Sequence, residues 1–307
     1  TLFNLLGVML MVPQLPRLQG WLLRLVPERA TSRMQPQYLN QSAMESPSAA
    51  VAVTRSESIR LYALSTDLVL QGLGWQADEF HRGQPIALLS DQSHSAIHTN
   101  LQQLYEQQVK GIYSAIISFI SSAREKASGR QDEQLRELRA AVHYLIEAIK
   151  GVKHLQRHLL FYIHSENPDM AQAYQQLRQQ IGDVLRAIQH VRQIDDVVES
   201  RLALDHQLLL TERDREQSDS LIEGLIRTRK ISAEMATSLM TDKGYSQEVC
   251  RALIQAARYL FIDDQSPQGE TPESLQLEHA DLSAINKQLE QQRSEEDAAT
   301  PPPEQGL

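Results

Sequence analysis

The chain has 307 residues, 5% of them aromatic, with only 13 glycines and 12 prolines and an abundance of Leu, Ala, Gln, Glu and Arg. That composition favours helices over strands. The formal charge is −9, but residues 264 to 307 hold ten Asp and Glu against Lys287 and Arg293, so the body is near neutral and offers no electrostatic case for a nucleic-acid partner; the one cysteine, Cys250, excludes an internal disulfide and a multi-cysteine metal site.

The chain opens on an apolar run, Leu2 to Val12. It is shorter than the roughly 20 residues that span a bilayer, and reads as the last turns of a membrane segment that begins upstream. A buried core helix is the other reading of the same pattern. A secretory signal fits worse, because no basic region precedes the run and no small-residue cleavage site follows it. Arg17, Arg24, Arg29 and Trp21 come next, and basic residues beside a span mark its cytoplasmic side while Trp marks the interface. Leu18, Trp21, Leu22, Leu23, Leu25 and Val26 predict a short interfacial helix before Pro27. Residues 1–29 are thus read as membrane-proximal and 30–46 as a linker.

From Pro47 to about residue 264 the sequence predicts six amphipathic helices. Ser46 offers an N-cap and Pro47 a first helical position, and the first helix is expected to reach His81 and stop at Gly83-Gln84-Pro85. A second runs through Leu101, Leu104, Val109, Ile112, Ile116 and Phe119 to Ser128-Gly129. The third has the clearest period, with Leu135, Leu138, Val142, Leu145, Ile149, Val152, Leu155, Leu159 and Ile163 three or four residues apart. Asn167-Pro168-Asp169 caps a fourth, expected to carry Ile181, Val184, Leu185, Ile188, Val191, Ile194, Val198 and Leu202 on one stripe. Thr211 to Asp214 resembles a capping box that opens a fifth helix ending at Lys243-Gly244, and Ser246 is expected to cap a sixth with Val249, Leu253, Ala257 and Leu260.

The short connections imply an all-α antiparallel bundle of two three-helix units. A continuous coiled coil is the competing architecture, against which the capped breaks argue. After residue 264 the acidic, Gln/Ser-rich composition and Pro301-Pro302-Pro303 indicate a disordered tail, with a weak helix near Leu275 to Leu289.

Chemistry is sparse in this pattern. Gly72-Leu73-Gly74 is too short for a phosphate-cradling loop and is expected only to soften the first helix. His154 and His158 lie one helical turn apart, a metal-ligand spacing without a fixed third ligand, and are read as structural. Asp195 and Glu199 are expected to share a helix face with Asp196 beside them, a weak site for a hard cation that reads more simply as a solvated face, with Arg192 paired to Asp196. Cys250 is expected to be a small core residue. A metal-dependent enzyme has little support, because no nucleophile and base stand at a fixed spacing.

Pro36-Gln37-Tyr38-Leu39 followed by Glu45-Ser46-Pro47, with Thr1-Leu2-Phe3-Asn4 at the head of the apolar run, resembles bacterial sodium/phosphate cotransporter proteins, in which a transport domain is followed by a cytoplasmic PhoU-like domain. The resemblance extends through the helices to about residue 264. It implies an inner-membrane location, sodium and phosphate as the ions carried by the upstream part, and a regulatory, non-catalytic bundle in the cytoplasm. It also implies acidic metal motifs, but these are half missing: Glu147 matches a first acid with Gly151 where the second belongs, and Asp196 matches a second acid with Arg192 in place of the first. No metal cluster and no bound cofactor are therefore expected, with Glu147, Asp195, Asp196 and Glu199 as the residual candidates and apolar packing as the source of stability. The competing functional reading is a membrane-tethered helical scaffold or signalling protein unrelated to phosphate. A regulatory protein or a second copy of the chain is the further partner in view, the latter through Ile112, Ile116, Phe119 and Ile120 if that seam is not core.

Overall fold

A computed structural model of the chain describes residues 34–92 and 100–262. The expected membrane segment, the interfacial helix, the helix near Leu275 to Leu289 and the proline run at 301–303 lie outside the described residues.

Every regular element among the described residues is helical. A 3-10 turn, Gln41–Glu45, precedes α1 (Pro47–Gly72), and two short helices follow, α2 (Ala77–His81) and α3 (Ile86–Gln92). A one-turn α4 (Leu101–Leu104) runs through a π-helical turn, Tyr105–Val109, into α5 (Lys110–Ala123). Then come α6 (Arg130–Ile163), α7 (Pro168–Val191), α8 (Val197–Arg227) and α9 (Ala233–Phe261).

Cross-helix contacts fix the course of the chain. His158 meets Asp242, Gly151 faces Val249 and Tyr144 stacks on Tyr259, so α6 and α9 run antiparallel. Tyr174 meets Asp242 and Leu177 meets Ser246, so α7 runs parallel to α9. Arg258 with Asp205 and Arg251 with Glu212 set α8 antiparallel to α9. The helices α1, α5 and α6 pack on one another, as do α7, α8 and α9, and the two sets meet chiefly where α6 lies along α9. One continuous apolar core joins them. The expected seam of Ile112, Ile116, Phe119 and Ile120 belongs to this core, with Phe119 the most exposed at 6%, so it is not a free surface for a second copy.

The third predicted helix is α6, and each of its apolar positions from Leu135 to Leu159 is buried. Asn167 caps α7 as expected, its side-chain oxygen accepting from the Asp169 and Met170 N–H groups. Ser46 takes the N-cap position of α1 with Pro47 at the first helical position, although its hydroxyl pairs with that of Ser48.

Four helix ends fall elsewhere than expected. The first helix stops at Gly72, because Gly74 adopts φ +81° and the Trp75 N–H reaches the Leu70 carbonyl while the Gly74 N–H reaches that of Gln71. This is a Schellman stop, so the Gly72-Leu73-Gly74 stretch ends the helix and does not merely soften it. The fourth stops at Val191, and after a turn α8 starts anew with Asp196 as N-cap, its Oδ1 accepting from the Glu199 N–H at 2.9 Å. A restarted helix has a new phase, so Val198 and Leu202 leave the expected stripe and are 66% and 61% exposed. Thr211 opens no helix; it sits inside α8 and donates its hydroxyl to the Gln207 carbonyl. The last break comes at 228–232, where Ser232 caps α9 by accepting from the Met235 N–H, and Gly244 and Ser246 lie within that helix.

The stop of α8 is a Schellman pattern too, with the Lys230 N–H on the Leu225 carbonyl and the Arg229 N–H on that of Ile226. Here the left-handed residue is Arg229, at φ 56°. A side chain in that conformation costs about 1 kcal/mol that glycine avoids, less its greater chain entropy. Arg229→Gly is expected to raise stability by about 0.5 kcal/mol, read as a higher urea midpoint at unchanged slope.

Candidate functional site

Two polar arrangements stand out in the largely apolar interior. The first is the joint at which the chain enters the bundle. Glu57 on α1 has no exposed side-chain surface, and its Oε2 accepts from the backbone N–H groups of Gln37 and Tyr38, both at 2.7 Å. Its Oε1 accepts from Arg60 Nη1 at 2.7 Å, and the same Arg60 nitrogen donates to the Gln35 carbonyl at 3.0 Å. On the other side the Met34 N–H donates to the Gln107 carbonyl at 2.8 Å, in the π-helical turn. A π-turn leaves local carbonyls out of the regular ladder, and here one of them takes up the entering segment. The side chains of Gln35, Gln37 and Tyr38 are exposed, so backbone recognition by a buried carboxylate holds the segment.

Glu57→Gln replaces one accepting oxygen by a donor. Charge-assisted bonds are about twice as strong as neutral ones, so a loss of about 2 kcal/mol is expected. Hydrogen exchange should show faster exchange at the Gln37 and Tyr38 amides while the amides of α6 keep their protection.

The second arrangement lies where α6, α7 and α9 meet. Asp242 on α9, with a side chain 3% exposed, accepts at Oδ2 from the Tyr174 hydroxyl at 2.6 Å and from His158 Nδ1 at 2.8 Å. Burial, together with the neighbouring carboxylate, holds the Tyr174 phenol well above its ordinary range, so it donates throughout the physiological pH range. Tyr162 stacks on Tyr174 at 4.8 Å and His154 stacks on Tyr245 at 4.8 Å. One buried carboxylate thus ties three helices, and the His158 side chain, 40% exposed, forms the edge of the group.

A further buried cation lies four residues beyond Tyr174 on α7. Arg178 on α7 has no exposed surface, stands over the Trp75 ring at 5.1 Å and donates to Gln175. Desolvation brings its guanidinium down to about 10, so it remains charged at neutral pH.

The residues singled out from sequence as metal candidates are not brought together. Glu147 is exposed on α6 and pairs with His143 at 3.1 Å within the same helix. Asp195 lies in the turn before α8, Asp196 caps that helix and Glu199 is in its first turn, so Asp195 and Glu199 do not share a helix face. Arg192 does not extend a helix towards Asp196; its guanidinium lies over the Tyr62 and Phe261 rings at 5.6 and 5.1 Å. Among the described residues no three His, Cys, Asp or Glu side chains converge as a metal-binding group.

Gly151, four residues after Glu147 on α6, has a steric reason to be glycine. A Cβ there would stand 2.5 Å from Val249 Cγ2, because α9 packs directly against α6 at this point.

Cys250 is buried as expected, and burial pushes its thiol up to about 12. The thiolate is the reactive form. Labelling of native protein by a thiol reagent at neutral pH is expected to be slow and to accelerate only where denaturant unfolds α9; rapid labelling of folded protein would contradict this burial.

Sequence reasoning missed Glu57, Tyr174 and Asp242. Asp242 lies just before Lys243-Gly244, where the sequence predicts a helix end and the helix in fact continues, and Glu57 and Tyr174 look like ordinary polar positions until their partners, 19 to 68 residues away, are known. Among the described residues no helix is long and apolar enough to cross a membrane. Compared with known protein families, curated proteins and solved structures, the chain matches none of them.

Proposed function

We propose that this chain is the C-terminal part of a bacterial sodium-dependent phosphate transporter and that its bundle is a PhoU-like regulatory domain on the cytoplasmic side of the inner membrane. In this reading the bundle performs no catalysis, and sodium and phosphate are handled by a transport domain upstream. The observation that carries the reading is the entry joint. The segment whose sequence resembles the cotransporter linker, Pro36 to Leu39, is the segment clamped by Glu57, and Ser46-Pro47 is where the first long helix begins. A regulator must be held in a fixed relation to what it regulates, and a backbone clamp on a buried carboxylate provides such a hold. Two packed three-helix sets agree with the same reading.

The test is uptake of labelled phosphate by cells expressing the parent protein, with sodium and with sodium replaced by potassium. Sodium-dependent uptake above the empty-vector level is the expected result. Its absence, with the protein present in the membrane, would overturn the phosphate assignment in favour of a membrane-tethered scaffold.

A further inference from the structure

Two imidazoles lie one turn apart on α6. Residues four apart on a helix lie on one face, about 5–6 Å apart at Cβ, the spacing by which paired histidines on a helix chelate zinc. His154 is exposed and His158 partly so. Spacing alone describes many surface histidine pairs, but here α9 adds a second and independent feature.

The buried Asp242 carboxylate accepts from His158 Nδ1 at 2.8 Å, and Tyr174 fixes that carboxylate from its other side at 2.6 Å. With the proton on Nδ1, the lone pair of neutral His158 is on Nε2. A ligating histidine characteristically gives its other N–H to a carboxylate, which sets the tautomer, orients the ring and raises its basicity. The ring of His154 is set as well, stacked on Tyr245 at 4.8 Å with 11° between planes. Of the neighbouring cations, Lys153 is engaged by Gln102, while Arg157 adjoins His158 and Lys150 lies one turn before His154.

We propose that His154 and His158 form a two-histidine chelate for a borderline divalent transition ion of the zinc class, with Asp242 as the carboxylate that orients His158. Imidazole nitrogen selects zinc, nickel and copper over magnesium and calcium. Two protein ligands leave the other positions of a tetrahedral ion to water or to a ligand brought by a partner. The site is distinct from Glu147, Asp195, Asp196 and Glu199, and it does not depend on the transport reading.

The test is calorimetric titration of the intact chain with Zn2+ alone, with Mg2+ as the comparison ion. One equivalent of Zn2+ is expected to bind and Mg2+ is not. His154→Ala changes an exposed position, so the protein remains folded, and saturable binding should be lost. Asp242→Asn should weaken it about 10- to 100-fold, the usual effect of removing an orienting carboxylate, with circular dichroism showing whether the fold is kept. His143→Ala, which removes the exposed partner of Glu147, should leave binding unchanged. Zn2+ binding that survives His154→Ala, that follows His143 instead, or that is absent from the wild-type chain would overturn the proposal.

Discussion

Gly151→Asp is expected to destabilise the bundle by about 4 kcal/mol, the sum of an overpacked helix contact and a carboxylate buried without a partner. The position is buried in α6, and the new Cβ would stand 2.5 Å from Val249 Cγ2 and 3.6 Å from the Tyr245 carbonyl oxygen. Gly151→Ala separates the two contributions. It adds the same Cβ without charge, and its better helix propensity returns about 1 kcal/mol, so a net loss of about 1 kcal/mol is expected. Urea unfolding followed by circular dichroism measures both. The aspartate would place a second acid four residues after Glu147, so an aspartate variant that is as stable as the parent and gains metal binding would contradict the steric account of this glycine.

The second large effect is expected at the three-helix tie. Asp242→Ala strands the Tyr174 hydroxyl in the interior and takes the acceptor from His158, a loss of about 3 kcal/mol. Tyr174→Phe removes a donor and leaves Asp242 its bond from His158, so about 1.5 kcal/mol is expected. If both act through one hydrogen bond, the double variant should lose less than the sum by about 1 kcal/mol. Simple additivity of the two losses would show that the 2.6 Å contact contributes little.

These residues also show why part of the molecule was legible in its sequence and part was not. In α6 the apolar spacing continues through Leu135, Val142, Ile149 and Leu155 without interruption, and tertiary packing follows the same phase. The turn before α8 was hidden because Ile194, Val198 and Leu202 keep helical spacing across it. The signal that marks it is the short one, Asp196-Val197-Val198-Glu199, an acidic N-cap followed three residues later by a glutamate. Thr211 presented the same kind of signal, but a threonine hydroxyl inside a helix can bond back to the carbonyl four residues earlier, and this one does. The stop at Arg229 carries no glycine, so nothing local announces it. Gly244 and Ser246 suggested a break that packing overrides, the Ser246 hydroxyl being taken up by the Leu177 carbonyl of α7. The tie and the joint were beyond local pattern altogether, since the tie joins side chains of three helices and the joint sets a carboxylate of α1 against the backbone of the non-helical segment before it.

The joint gives the regulatory reading a physical form. Glu57 holds the entering backbone, and α1 carries that hold into the core through Leu61, Leu68 and Leu70, all essentially fully buried. A shift of the segment from Met34 to Tyr38 would therefore be felt by α1 and by the π-turn that holds Met34.

In the proposed function the bundle governs a phosphate carrier without being the carrier. Sodium-dependent phosphate uptake should be compared in cells grown with scarce and with abundant phosphate, for the parent protein and for a version lacking residues 47–307, each at matched membrane abundance. The account predicts that uptake survives the truncation and loses its response to phosphate supply. Uptake abolished by the truncation, with the shortened protein still in the membrane, would contradict it.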